Sequence, residues 1–153
     1  MSVRQRTRAL TLCRYFENLH DGVHQLNQMG VDAFVRKYRT VYVDPSAPPA
    51  VAGRGPATTG PQAGQNPREM AGADGQQAVR LVRQHAAEFG VLSNRIGIIG
   101  YSAGGAVALS TVYGSTDARP DFAAPIYAAG ANSNPPPEGA PPLFIAVAAR
   151  MTS

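Results

Sequence analysis

Apolar positions recur along this chain with two different periods. From residue 75 to 89, Ala78, Val82, Ala86 and Phe89 fall on one helical face, while Gln76, Arg80, Arg83, Gln84 and Glu88 face outward. Ahead of that stripe, Asn66-Pro67-Arg68-Glu69 offers an N-cap, a proline at the first helical position and an early glutamate. Gly90 ends it. Leu19, Val23 and Leu26 share a face and predict another helix over 21–29, with Gly30 as its C-cap. Residues 103–113 read as a third helix, built of small side chains.

Short apolar runs lie between these helices. Arg-Ile-Gly-Ile-Ile-Gly at 95–100 is apolar on both faces, as a buried parallel strand requires. Residues 33–43 carry Phe34, Val35, Tyr38, Val41 and Tyr42 and begin as a strand. Residues 122–127 and 143–148 read as two more, with the proline-rich stretch Pro135, Pro136, Pro137, Pro141 and Pro142 between them. Residues 9–13 form a short, weak strand, with Cys13 as a buried strand residue. Strands alternating with helices predict an α/β fold, a doubly wound and mostly parallel sheet. Sites in such sheets lie beyond the C-terminal strand ends, here near Cys13, Tyr42, Ser102, Ala128 and Ala149.

Length and composition narrow the class. The 153 residues suffice for one domain, and 44% are hydrophobic, too many for a disordered chain. Gly (16) and Pro (13) are abundant, and they concentrate in a loop excursion at 44–67. No apolar run reaches the roughly 20 residues of a membrane span, so no membrane partner is expected. The first 14 residues lack an apolar signal region, which points to a cytoplasmic place. A single cysteine excludes an internal disulfide and a zinc cluster.

The net charge of +4 first looks like a nucleic-acid binder's. Arg4, Arg6, Arg8 and Arg14 account for all of it, since the rest carries ten basic and ten acidic residues. The expected organisation is a basic tail at 1–14 and one domain at 15–153. A solvated tail explains the arginines, and no nucleic-acid partner is expected.

Gly100-Tyr101-Ser102-Ala103-Gly104 carries the chemistry. It matches G-x-S-x-G and stands between a strand and a helix, the setting of a nucleophile elbow. Ser102 is the candidate nucleophile. Gly100 and Gly104 let the backbone crowd around it, and the Ala103 N–H at the helix start is a candidate oxyanion donor.

The surrounding stretches make the chain similar to α/β-hydrolases of the acetyl-xylan-esterase-like, BD-FAE group. They are Ala33-Phe34-Val35-Arg36-Lys37-Tyr38-Arg39, Ala78-Val79-Arg80-Leu81-Val82-Arg83, Ala86-Ala87-Glu88-Phe89-Gly90, Asn94-Arg95-Ile96-Gly97 and the elbow with Gly105. Arg119-Pro120-Asp121-Phe122 and Pro141-Pro142-Leu143-Phe144 continue the likeness. The resemblance implies hydrolysis of small carboxylic esters, often acetyl esters, by a serine and without a cofactor.

That resemblance also implies an order of Ser, then an acid, then His. His20, His24 and His85 all precede Ser102, and the turn after the first strand, Cys13-Arg14-Tyr15-Phe16-Glu17, lacks the glycines of an oxyanion turn. Asp117 and Asp121 belong to the wrong strand edge. His85 reads as a packed structural residue. His20, early in the first helix, is expected on the Ser102 side and is the candidate substitute base. The expectation is a hydrolase fold lacking its last strands and helix. If Arg150 is encoded by CGG, the last codons read Asp-Asp in a shifted frame, consistent with a frameshift. The competing expectation is an incompetent fragment that keeps the elbow. In either case an open sheet edge at 143–148 invites pairing with a second copy.

Overall fold

The computed structural model describes residues 8–12, 19–39, 66–128 and 134–147. Four strands and three helices alternate: β1 (Arg8–Leu12), α1 (Leu19–Gln28), β2 (Asp32–Arg36), α2 (Pro67–Gln84), β3 (Ile96–Tyr101), α3 (Ala103–Val112) and β4 (Phe122–Ile126). The strands lie in the order β2-β1-β3-β4 and every neighbouring pair is parallel. Leu10 is in register with Phe34 on one side and Ile98 on the other.

This order places the site. From β1 the chain moves outward through α1 to β2. It then returns through α2, past β1, to β3 and continues through α3 to β4. Right-handed crossovers therefore put α1 on one face and α2 with α3 on the other. In agreement, α1 packs on β2, while α2 and α3 pack on each other. The winding reverses between β1 and β3, and the crevice at such a reversal lies at the C-terminal strand ends. The doubly wound parallel sheet expected from the sequence is the observed one.

The core lies between the sheet and the α2–α3 layer. Val79, Ile96, Ile98, Ala108 and Val112 are almost wholly enclosed there. Helix α2 begins at Pro67, earlier than the apolar stripe alone required. Asn66 caps it by accepting a hydrogen bond from the Arg68 N–H at 3.0 Å. It ends at Gln84, and Ala86 and Phe89 continue the stripe through the following turn. Gly30 and Gly90 close α1 and that turn in the left-handed conformation, with φ of 82° and 65°.

Three boundaries differ from the sequence reading. Residues 8–12 belong to an interior strand, so the sheet removes them from the expected 1–14 tail. Parallel ladders to β2 on one side and β3 on the other hold the segment in the sheet. Strand β2 stops at Arg36, short of Val43, and beyond it the Arg39 N–H donates to the Asp74 carboxylate of α2 at 2.8 Å. Residues 40–43 lie outside the described residues, as do 44–65 of the loop excursion.

The third difference is at the outer edge. Residues 143–148 were expected as a strand. Only two parallel bridges form beside β4, Ala123 with Leu143 and Ile126 with Ala146. Their bonds run from the Ala123 N–H to Pro142 O, from the Phe144 N–H to Ala123 O and from the Tyr127 N–H to Ala146 O. In this register the next donor to the Phe144 carbonyl is residue 125, and Pro125 has no N–H. The ladder therefore breaks in its middle.

Candidate active site

Ser102 stands at the sharp turn from β3 into α3, on the strand bordering the reversal of winding. Its backbone has φ 52° and ψ −116°, a region that L-residues avoid and that clusters at functional sites. A Cβ on Gly100 would collide with the Gly104 carbonyl group, so the strand end and the helix start meet only because residue 100 is glycine. Gly105 entered the sequence reading only as part of the family likeness. A Cβ there would come within 3.0 Å of Ala128 Cα, Gly100 O and Ile126 O. Its signal was the paired Gly104-Gly105.

This conformation sets the hydroxyl apart. A serine at the start of a helix ordinarily caps it with its side chain. Ser102 makes no such cap bond. Its backbone is engaged instead: the N–H donates to Ile126 O at 3.0 Å and the carbonyl accepts from the Ala106 N–H at 3.1 Å. Ser102 is exposed, and among the described residues no side chain hydrogen-bonds its Oγ. Ala103 is the first residue of α3, half-buried. Amides of a first helical turn have no intrahelical acceptor and carry the positive end of the helix dipole. An anion forming beside Ser102 would meet that end of α3.

Two tyrosines flank the elbow. Tyr101 ends β3, and Tyr127 follows the Ile126 that accepts the Ser102 N–H. Their ring centroids are 6.0 Å apart at 52°. Tyr127 also has a positive φ, 35°.

The histidines are distributed unevenly. His20 lies in the first turn of α1, eight residues after β1 ends, and so on the C-terminal side of the sheet. Its side chain is outside the described residues. His24 is exposed one turn further along. His85 caps the C-terminus of α2 at the other end of the sheet. It is not packed away as expected. It is half-exposed, its Nδ1 lies 2.8 Å from Glu88 Oε2, and its ring lies against Phe89. Residues 13–17, where an oxyanion turn was sought, lie outside the described residues.

The acids occupy other places. The Asp121 carboxylate accepts the Ile96 N–H at 2.7 Å, at the start of β3. That is about 20 Å from Ser102 along a six-residue strand. Arg83 joins Asp121 at 3.2 Å, and Arg80 joins Asp117 at 2.5 Å. Hydrogen bonds from Arg80 and Ser115 hold the Asp117 carboxyl down at about 2. Asp74 was missed in the sequence. It is buried on α2 and clamped by Arg39, whose Nε and Nη2 reach its carboxylate at 3.1 and 3.0 Å. Burial pushes the Asp74 carboxyl up, and the hydrogen bonds and charge of Arg39 more than offset this, leaving it below the ordinary value. Among the described residues no three His, Cys, Asp or Glu side chains gather to hold a metal ion, and no helix is long and apolar enough to cross a membrane.

The BD-FAE family matches residues 64–134. The comparison with curated proteins finds no match. Among solved structures, an acetyl ester-xyloside bifunctional hydrolase from Caldicellulosiruptor lactoaceticus is similar over 84% of this chain and 46% of its own, with 22% identity and a TM-score of 0.54. An α/β-hydrolase enzyme from a Medee basin deep-sea metagenome library is similar over 92% and 55%, with 20% identity and a TM-score of 0.61. A thermophilic esterase of the Planctomycetes species Thermogutta terrifontis is similar over 81% and 44%, with 19% identity and a TM-score of 0.55. This chain thus spans about half the length of these structures. The chain thus has the fold of the α/β-hydrolases, and over residues 64–134 it matches the BD-FAE family.

Proposed function

We propose that this chain is a carboxylic ester hydrolase for small esters with short acyl or acetyl groups, with Ser102 as nucleophile. The observation that carries the reading is the backbone of Ser102: a strained, non-capping serine between a buried strand and a helix start, in a turn that only glycine at 100 permits. In the reaction Ser102 Oγ bonds to the acyl carbon, and its proton passes to a base. The Ala103 N–H receives the carbonyl oxygen as it turns negative. The alcohol leaves with that proton, and water then releases the acid by the same route. Removing one oxyanion donor from such a site typically costs about 10²–10³ in rate. His20 is the residue we assign as base, on its place in the first turn of α1, at the same end of the sheet as Ser102.

The test is hydrolysis of p-nitrophenyl acetate by wild type and Ser102→Ala. Turnover in the wild type that falls to the buffer rate in the variant supports the reading, and equal rates in both overturn it.

A second reading keeps the elbow but not the catalysis. What favours it is the absence, among the described residues, of any side chain hydrogen-bonded to Ser102 Oγ. Equal buffer-level rates in both proteins are its signature.

The segment 143–147 also supports pairing with a second copy at the sheet edge. Phe144, Ile145 and Val147 are 67, 59 and 76% exposed, and exposed apolar edges pair readily. Light scattering that shows a monomer at every concentration removes this part of the proposal.

A further inference from the structure

We infer that residues 143–147 pair with the same residues of a second copy as antiparallel strands, about a two-fold axis at Ile145. The pairing rests on the sheet-edge proposal above, and not on Ser102 being the nucleophile. The bonds to β4 settle which backbone groups are left over. The Phe144 N–H and the Pro142 and Ala146 carbonyls all point to β4. The bridges Ala123–Leu143 and Ile126–Ala146 advance three residues on both sides, so the segment keeps a strand's spacing. Successive residues of a strand turn their N–H and C=O toward opposite edges. Those of Leu143, Ile145 and Val147 therefore point away from β4, and among the described residues no hydrogen bond uses them.

These groups match a copy of themselves. With Ile145 opposite the partner's Ile145, Leu143 faces the partner's Val147 and Val147 faces the partner's Leu143. Each is a hydrogen-bonded pair of an antiparallel ladder, exchanging both of its N–H···O bonds, and every outward group is used. Centring on Phe144 instead sets Val147 against the partner's Pro141, which has no N–H. The side chains fit in the same register. Phe144 lies opposite the partner's Ala146, a large ring against a small methyl, and the other pairs are aliphatic. Residues 143–147 carry no charge, so no like charges meet across the axis. Leu143, Phe144, Ile145 and Val147 are exposed on the single copy, on both faces of the segment, and pairing brings them to cross-strand contact. The partner's strands then run the opposite way. Its Ser102 turn opens at the other end of the joint sheet, so neither copy contributes to the other's site.

The test is light scattering of Ile145→Lys and Ile145→Glu, alone and mixed. Wild type is expected to become dimeric as concentration rises. Each variant alone sets like charges side by side at the axis and should need about tenfold more protein to pair, while the mixture sets Lys against Glu and restores the dimer. A second measurement reads the register directly, with Cys13→Ser removing the native thiol. Ile145→Cys should crosslink on oxidation, because the Cα atoms of a hydrogen-bonded pair lie about 5.5 Å apart, within disulfide reach. Val147→Cys should not, since its counterpart lies four residues further along the partner strand. A wild type that stays monomeric overturns the inference together with the pairing. Undiminished dimers in either charged variant alone, no recovery in the mixture, or crosslinking in both or neither of the cysteine variants overturns the axis at Ile145 even where wild type is a dimer.

Discussion

The Ser102 amide donates a hydrogen bond to the Ile126 carbonyl across 3.0 Å. This bond ties the elbow after β3 to the end of β4, and it fixes the serine in its unfavourable backbone region. Strain of this kind typically costs about 1–3 kcal/mol. Ser102→Gly should therefore be more stable than Ser102→Ala by about 1–2 kcal/mol, since only glycine relaxes at φ 52°. Urea denaturation of the two variants measures the difference. Equal midpoints would show that the turn carries no strain.

The Arg39–Asp74 clamp joins the stretch after β2 to α2. Asp74→Asn keeps the size and removes the charge, and should cost about 1–3 kcal/mol, the usual loss for a hydrogen bond to a charged group. Arg39→Ala should cost more, because it strands the buried carboxylate beside a single backbone N–H. The order of the two denaturation midpoints tests this directly, and the reverse order refutes the clamp.

Acid should weaken the fold in a defined window. The carboxyls of Asp74 and Asp117 are both held below their ordinary values, Asp117 at about 2. Depressed carboxyls contribute fully above the unfolded value of about 3.9, and lose that contribution as pH falls toward the folded value. Stability should thus be flat with respect to these two groups above pH 4 and fall between about pH 4 and 2. Asp117→Asn should lower stability at neutral pH and make the acid limb shallower. A limb of unchanged slope in that variant would remove Asp117 as a contributor.

Histidine substitutions separate the two ends of the sheet. His20→Ala should abolish Ser102-dependent hydrolysis of p-nitrophenyl acetate. His85→Ala should leave it within about twofold, since α2 ends at the opposite side of the sheet and single exposed substitutions seldom matter. Unchanged turnover in His20→Ala removes it as the base.

Most of the sheet was legible because its signals are local. The run Ile96, Ile98 and Ile99 announced a strand covered on both faces, and the Asn66-Pro67 pair announced a helix start. The turn at Ser102 was legible for the same reason, as five consecutive residues hold the serine and its crowding glycines. Asp74 was not, because its partner Arg39 is 35 residues away across a proline-rich stretch, and nothing in either neighbourhood points to the other. The conformation of Tyr127 was equally hidden. Its positive φ accompanies a tertiary hydrogen bond to Ala146, and local propensity argues against it.

Pro125 divides the sheet into parts that differ in tenacity. Strands β1, β2, β3 and β4 share continuous ladders, whereas residues 143–147 are fastened at two bridges with a missing rung between them. Peeling this segment away breaks few bonds and exposes little that is not already wet. Amide exchange should accordingly be fast at Phe144 and Ala146 and slow at Ile98, with the outer segment opening as its own small unit while the Ser102 turn stays closed.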